Sequence, residues 1–346
     1  MADTPSSFVV VGAGSIGQTF AACLARSGHP VTLLSTPRTA AQLLAAGVMH
    51  LYSAAEFDYP VATGVGRTGV VGVTTDPADL PDGAGAFFTP KGSHLPEAIA
   101  HVCAAWPRPH DRATWVCGIQ NGIVKDDLLA AAFGPQRVLG AATIVGAERQ
   151  LDGRVAVRNL DTSYLGELSG GTSDRVVHAA AELNRAGLVT HAVDDITTVL
   201  WSKMCNTAGF FAATCLGRIP NAQLGVHPEL VRMYLGILRE TAALAAAQGI
   251  RVADYPRFPV RTYLDRSDDQ NVVRFREAAA SSTTVNFVPD QRSSMLQDLL
   301  AGRPMEVDAI YGDLVSRAAR FGVPVPKLTA ARDALRAIDP GRPAGE

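Results

Sequence analysis

Six residues near the N-terminus, Gly12-Ala13-Gly14-Ser15-Ile16-Gly17, follow the β-branched run FVVV at 8–11 and precede QTFAACLARSG. In that setting the GxGxxG spacing suits a pyrophosphate. Gly12 permits a tight turn, Gly14 lets the backbone approach phosphate oxygens, and Gly17 lets a helix pack closely on its strand. Free N–H groups at the helix start then face the anion. Alone the motif is weak; strand before and helix after favour nucleotide binding over a merely glycine-rich turn. The next strand, VTLL at 31–34, runs into Ser35-Thr36-Pro37-Arg38. An NAD site usually places Asp or Glu there for the ribose hydroxyls. Here no acid is present, while Ser35 and Thr36 can donate to a 2′-phosphate and Arg38 can add charge-assisted bonds. NADP(H) is therefore favoured, although Arg38 by itself also fits an ordinary surface arginine. Two more strand ends, Phe88-Thr89-Pro90-Lys91 and Gly118-Ile119-Gln120-Asn121-Gly122, fall where open α/β sheets bind ligands. On spacing alone Lys91 is either a cofactor contact or a solvent lysine, and Asn121-Gly122 either a donor site or a tight turn.

These groups need a scaffold. FVVV, the helix ending at Gly28 and VTLL make one β-α-β unit, which implies parallel strands. Strand-like runs recur at VVGV (70–73), GAFF (85–88) and TWVC (114–117), with a helix from Leu95 to Trp106. RVAVRN and SYLGEL read as hairpin strands extending the sheet, with a turn at Leu151 to Gly153. After Asp195 the texture is helical: WSKMCNTAGFFAATCL, ELVRMYLGILRETAALAAAQG, SSMLQDLLAG and MEVDAIYGDLVSRAARFG, the last two separated by Gly302-Arg303-Pro304. The stretch from Pro256 to Ala280 reads as a loop and then a helix. The expected fold is α/β: a Rossmann-type NADP-binding domain over 1–190, a mainly α-helical domain over 191–340, and a flexible tail at 341–346. Ala- and Leu-rich helical faces in the second domain suggest a homodimer.

Composition agrees with this and excludes other classes. The 346 residues are long enough for two cores, since one core rarely grows beyond ~250–300 residues. The charge balance, 31 Lys+Arg against 33 Asp+Glu for a net −2, removes the general electrostatic case for nucleic acid or anionic membranes. The N-terminal apolar run is cut by glycines at once and lacks a basic lead, so it reads as strand and turn rather than signal peptide. No run approaches the ~20 apolar residues that span a bilayer. Five cysteines without CxxC spacing argue against a zinc site or disulfide framework and for a reducing, cytoplasmic setting. No metal is expected, because His94, His101, His178 and His191 have no ligand spacing. Trp106, Trp115 and Trp201 read as core. Arg303, beside Glu306, is either a surface arginine or an anion contact.

Several segments together carry a resemblance: GAGSIG at 12–17, the strand-end Lys91, QNG at 120–122, WSK at 201–203, and above all SSMLQDLLAGRPMEVDAIYG at 293–312. The chain resembles the ketopantoate reductase (2-dehydropantoate 2-reductase) family over most of its length. The resemblance implies a Rossmann domain, a helical domain to which it assigns substrate binding and catalysis, and an active site in the cleft between them, with NADPH-dependent reduction of a 2-keto acid. It puts the general-acid lysine at Lys203, the second-domain glutamate at Glu306 and the substrate-binding serine at Ser294. Asn121 falls where the family contacts both cofactor and substrate, and Lys91 on the cofactor side. Cofactor contacts are thus expected at Gly12, Ala13, Gly14, Ser15, Ile16, Gly17, Ser35, Thr36, Arg38, Lys91 and Asn121.

The match breaks around Lys203. The family usually carries Asn four and eight residues later, where this chain has Thr207 and Phe211; its asparagine is one place earlier, at Asn206. One residue turns a helical side chain by about 100°, so Asn206 is not a direct replacement. Phe211 replaces an amide by a ring, and Met305 stands where Thr is usual before the Glu. Thr207, Asn206 and Phe211 are therefore kept as candidate substrate contacts that question the substrate rather than the reaction. Hydride addition builds charge on a ketone oxygen, and Lys203 can supply cation and proton in one group, with Glu306 to orient it or to accept from a substrate hydroxyl. Ser294 can donate to a carboxylate or simply cap a helix. The leading reading is reduction of 2-dehydropantoate to pantoate. The alternatives are a relative taking a more apolar carbonyl substrate and a non-catalytic NADP(H)-binding sensor. Retention of Lys203, Ser294 and Glu306 together speaks against the sensor.

Overall fold

The four residues of β1 (Phe8–Val11) are all buried, flanked by parallel strands on both sides: Phe8 lies opposite Val31 of β2 (Val31–Leu34) and opposite Gly85 of β6 (Ala84–Phe88). A strand covered on both faces has no polar side to present, which is why FVVV and VTLL are near-continuous rather than alternating. Helix α1 (Ser15–Arg26) is buried at every position from Gly17 to Ala25. It is therefore mostly apolar all round rather than one-faced, and its buried polar side chains Gln18 and Thr19 donate to the carbonyls of Ala13 and Ser15. Phe20 and Leu24 share a core with Met49, Leu51, Val155 and Val157, so strands distant in sequence cover it. The computed structural model describes residues 5, 7–106, 112–280 and 291–342.

The remaining strands of the large sheet are β3 (Val48–Ser53), β4 (Phe57–Thr63), β5 (Val71–Thr74), β7 (Ala113–Gly118), β8 (Val138–Thr143), β9 (Gly146–Arg149), β10 (Val155–Asn159), β11 (Ser163–Glu167) and β12 (Thr190–Ala192). Their order is β12-β11-β8-β7-β6-β1-β2-β5-β4-β3-β10-β9. The turn at 151–153 does close a hairpin, but between β9 and β10, with Val155 opposite Arg149. RVAVRN and SYLGEL are not partners: β10 pairs in parallel with β3, while β11 pairs with β8 and β12, near the opposite end of the sheet. Strands β3 and β4 have only partly buried, broken patterns and carry Pro60. Their alternation is too weak to announce them in the sequence.

Two compact units result: Met1–Gln120 with Lys125–Thr197, and Asn121–Val124 with Thr198–Glu346. Strand β12 hydrogen-bonds to β11 and so lies in the first unit. The second unit is helical. Helices α6 (Ile196–Gly217), α7 (Pro228–Ala247), α10 (Ser294–Leu300), α11 (Asp313–Phe321) and α12 (Pro326–Ile338) are its main elements, after α2 (Pro37–Ala46), α3 (Leu95–Ala105), α4 (Val124–Phe133) and α5 (Asp174–Arg185) in or entering the first. The stretch read as loop and helix begins in a two-stranded ribbon, Asp254–Tyr255 just before it with Phe258–Pro259, and continues as α8 (Val260–Leu264) and α9 (Asp268–Ala280). Residues 281–290, and 343–346 of the tail, lie outside the described residues. The helical core joins Trp201, Met204, Ala208, Phe211, Met295, Met305, Tyr311 and Leu328.

Trp106, Trp115 and Trp201 are all core residues. Cys23, Cys117, Cys205 and Cys215 are buried free thiols, and burial pushes Cys117 up to about 12, so it stays a thiol and acts as a small hydrophobe. Among the described residues no helix is long and apolar enough to cross a membrane, and no group of three or more His, Cys, Asp or Glu could hold a metal ion.

Candidate active site

The glycine motif is built as its spacing requires. Gly12 has φ +103°, a left-handed conformation, and a Cβ there would stand 2.9 Å from the Pro90 nitrogen. A Cβ on Gly17 would overlap the Gly12 carbonyl, so α1 approaches the turn only because no side chain intervenes. Gly14, by contrast, faces open space within 4 Å, which suits the approach of phosphate oxygens. Thr89 Oγ1 donates to the carbonyls of Gly12 (2.8 Å) and Val11 (3.0 Å), fixing the neighbouring strand end. Ala13 is buried and Ile16 packs on the core, so both support the turn. The Ser15 hydroxyl donates to the Ala147 carbonyl at 3.0 Å, tying the start of α1 to β9. These features fit a dinucleotide.

At the end of β2, Ser35 is buried and its hydroxyl donates to the Thr36 carbonyl (3.3 Å). Thr36 caps α2 by accepting from the Thr39 N–H, and Arg38 is exposed on the first turn of that helix. Thr36 and Arg38 are thus the two groups of this trio presented to solvent. Lys91 is exposed before a short 3₁₀ turn, Gly92–His94. Gln120, which spacing did not single out, bridges two strand ends: its Nε2 donates to the carbonyls of Phe88 (2.8 Å) and Pro90 (3.0 Å).

The next four residues, Asn121–Val124, belong to the helical unit. Ile123 is anchored in the helical core. Gly122 has φ +97°, and a Cβ on it would lie 3.1 Å from the Ala309 carbonyl. Ala309 is in a π-helical turn, Asp308–Gly312, that leads into α11; such turns often accompany functional sites. Lys203, on the second turn of α6, donates from Nζ to Asn121 Oδ1 at 2.9 Å. An ammonium has no acceptor to offer, so this bond settles the amide orientation: the Asn121 oxygen faces the lysine and its Nδ2 points elsewhere. Glu306, 4% exposed, stands just before the π turn, and its carbonyl accepts from the Ile310 N–H.

Other predicted positions fall out differently. The cap of α10 is Ser293, which accepts from the Leu296 N–H and shares a 3.0 Å hydrogen bond with Thr214; Ser294 is the first helical residue and half-buried. Ser294 is therefore not the capping residue. Thr207 is 7% and Phe211 8% exposed, and the Phe211 ring belongs to the helical core. Met305 is core as well, so its replacement of the usual Thr is met by packing. Arg303 pairs with the buried Asp298 at 3.0 Å. Asn206 is half-buried, and its Oδ1 accepts from the hydroxyl of Tyr234, a residue the sequence did not mark.

Comparison with known proteins places this arrangement. Residues 8–170 match the family described as ketopantoate reductase PanE/ApbA, and residues 195–339 match its C-terminal family. The chain belongs to the ketopantoate reductase family. A 2-dehydropantoate 2-reductase of Halobacterium salinarum is 27% identical over 330 residues, covering 95% of this chain and 97% of that one. The crystal structure of 2-dehydropantoate 2-reductase from Methylococcus capsulatus is 25% identical, covers 98% of this chain and 99% of that one, and superposes with a TM-score of 0.73. The ternary structure of D-mandelate dehydrogenase with NADH and anilino(oxo)acetate has a TM-score of 0.75 at 18% identity, covering 96% of this chain and 98% of that one, a likeness of fold. In general terms the chain is an NADP(H)-linked oxidoreductase of the ketopantoate reductase family.

One glycine of this site offers a direct test. Gly122→Ala adds strain at a positive φ and crowds the Ala309 carbonyl. The variant should lose about 1–2 kcal/mol of stability and more activity than that loss alone explains, because Asn121 shifts with it. Thermal melts and kcat measured on the still-folded fraction check this; an unchanged melt would show that the turn adapts.

Proposed function

We propose that this member of the family reduces a 2-keto acid to the 2-hydroxy acid with NADPH, with 2-dehydropantoate to pantoate as the default case. The carrying observation is the Lys203 Nζ to Asn121 Oδ1 hydrogen bond, which holds an ammonium in place beside a carboxamide. When bound, NADPH supplies the hydride. Thr36 and Arg38 would hold its 2′-phosphate, the turn at Gly12 and Gly14 its pyrophosphate, and Lys91 and Asn121 the parts nearer the nicotinamide. As negative charge grows on the ketone oxygen, Lys203 donates a proton to it and is left neutral until it regains one from solvent. Asn121 keeps that ammonium from swinging away. Glu306, kept from water by burial, accepts from a hydroxyl on the substrate tail, and Ser294 donates to the substrate carboxylate. NADPH oxidation followed across a panel of 2-keto acids that includes ketopantoate tests the reading. Consumption of none would refute it.

The cofactor preference has its own test. NADPH should bind much more tightly than NADH, and Arg38→Ala should weaken NADPH by roughly 1.5–3 kcal/mol, the size of a hydrogen bond to a charged group, leaving NADH nearly unchanged. Fluorescence titration with both nucleotides reads this, and equal affinities in the unaltered protein would sink it. A second reading, a substrate with a more apolar tail, rests on the absence of amides at Thr207 and Phe211. Association into a homodimer through the helical unit is part of the proposal.

A further inference from the structure

Between Val199 and Cys215 of α6, three side chains are half-buried where their neighbours are buried: Lys203, Asn206 and Phe210, against Met204, Thr207, Ala208 and Phe211. Positions i, i+3 and i+7 lie within about 60° of one another around a helix. Hence the reachable stripe beside Lys203 contains Asn206, while Thr207 and Phe211 turn inward. Lys203 and Asn206 are helical neighbours, with roughly 5–6 Å between their Cβ atoms. That is compatible with two adjacent oxygens of one small anion.

The amide of Asn206 is not left to rotate. Tyr234 donates its hydroxyl to Asn206 Oδ1 at 2.8 Å. Tyr234 is 1% exposed, and burial pushes its phenol well above the usual range, so it keeps the proton it donates. Its ring is wedged edge-on against Phe210, Tyr263 and Phe275, with centroids 6.5, 5.9 and 5.4 Å away. The helices α6 and α7 meet closely enough for this bond because residue 209 is glycine: a Cβ there would stand 2.5 Å from the Tyr234 carbonyl and 2.7 Å from its ring. With Oδ1 occupied, what Asn206 has to offer is its Nδ2 donors. Asn121 is in the same state, its Oδ1 taken by Lys203. Both carboxamides thus have their oxygens occupied, Asn121 by the ammonium and Asn206 by the Tyr234 hydroxyl, leaving Nδ2 donors for an anion.

We propose that Asn206 donates from Nδ2 to the carboxylate of the 2-keto acid and that Tyr234 is the positioning residue that sets its amide. This rests on the reductase reading above. It moves the substrate amide from the family's usual place to a neighbouring position of the same helix.

Steady-state kinetics at saturating NADPH test it with the best 2-keto acid of the panel. Asn206→Ala should raise KM about 10- to 100-fold, the range for a lost hydrogen bond to a charged group, with kcat changed less than about 3-fold. Asn206→Asp still accepts from Tyr234 but presents an oxygen to the carboxylate, so its KM should rise at least as far. Tyr234→Phe should raise KM about 3- to 10-fold without altering NADPH affinity, and adding it to Asn206→Ala should do nothing further, since coupled residues are not additive. A merely structural tyrosine would act in both backgrounds alike. Unchanged KM in Asn206→Ala, or full additivity of the pair, overturns this inference alone; an unaltered protein that consumes no 2-keto acid overturns it together with the reductase reading.

Discussion

Lys203→Met should lower kcat/KM for the best 2-keto acid by about 10³-fold, nearly all of it in kcat, while NADPH affinity stays within about twofold. The side chain keeps its length but loses both the proton and the charge that meet the developing oxyanion, and general acid catalysis of this kind contributes ~10²–10⁴-fold. Asn121 Oδ1 loses the donor that holds it at 2.9 Å, so part of the loss is positional. Lys203→Arg preserves the charge but holds its proton too tightly to give it up. It should recover well under a tenth of the activity. Stopped-flow measurement of NADPH oxidation separates chemistry from product release. A Lys203→Met variant within tenfold of the parent would remove Lys203 from the reaction as its proton donor.

On the second reading, ketopantoate is a poor substrate beside a 2-keto acid with a branched apolar or aromatic tail. Glu306 is the one polar partner proposed for its hydroxyl, because the positions of the family's two amides hold Thr207 and Phe211, both buried. Leaving a polar group unpaired in a closed site can cost up to ~10⁴-fold in kcat/KM. We expect ketopantoate to fall well below ~10⁵ M⁻¹s⁻¹, an ordinary value for a native substrate, with the apolar analogue at least about tenfold better. If ketopantoate reaches that value, the two replacements are tolerated variation and the default substrate stands. Thr207→Asn with Phe211→Asn should shift the ratio toward ketopantoate. The second change carries a structural cost, since the Phe211 ring is in the helical core and truncating a buried aromatic there costs on the order of 3–5 kcal/mol. The ratio must therefore be read on folded protein, with a melt beside it.

Sequence by itself determined the parts of this protein whose causes are local. The turn at Gly12 and the strands at 8–11 and 31–34 follow from glycine conformations and apolar runs within about twenty residues of one another and are found as read, while the helix read from QTFAACLARSG to Gly28 runs from Ser15 to Arg26. The family was legible for a related reason, since 293–312 carries a contiguous pattern broken only at Met305. Partner choice was not legible. RVAVRN and SYLGEL have equal strand character, but which strand each one joins depends on covering α1 with residues more than a hundred positions away, and no local preference encodes that.

The active-site region shows the same limit more sharply. Lys203 and Asn121 could be named from motifs, yet only the folded chain pulls Asn121–Val124 out of the nucleotide unit and into the helical one, where Ile123 finds its core and Gly122 clears the π turn. The sequence placed Asn206, Thr207 and Phe211 on one helix as equal candidates. Packing against α7 and α10 decided between them, burying two and leaving the third half-exposed under the hydroxyl of Tyr234. A helical period says which side chains share a face; which face meets water depends on what the rest of the chain brings to it.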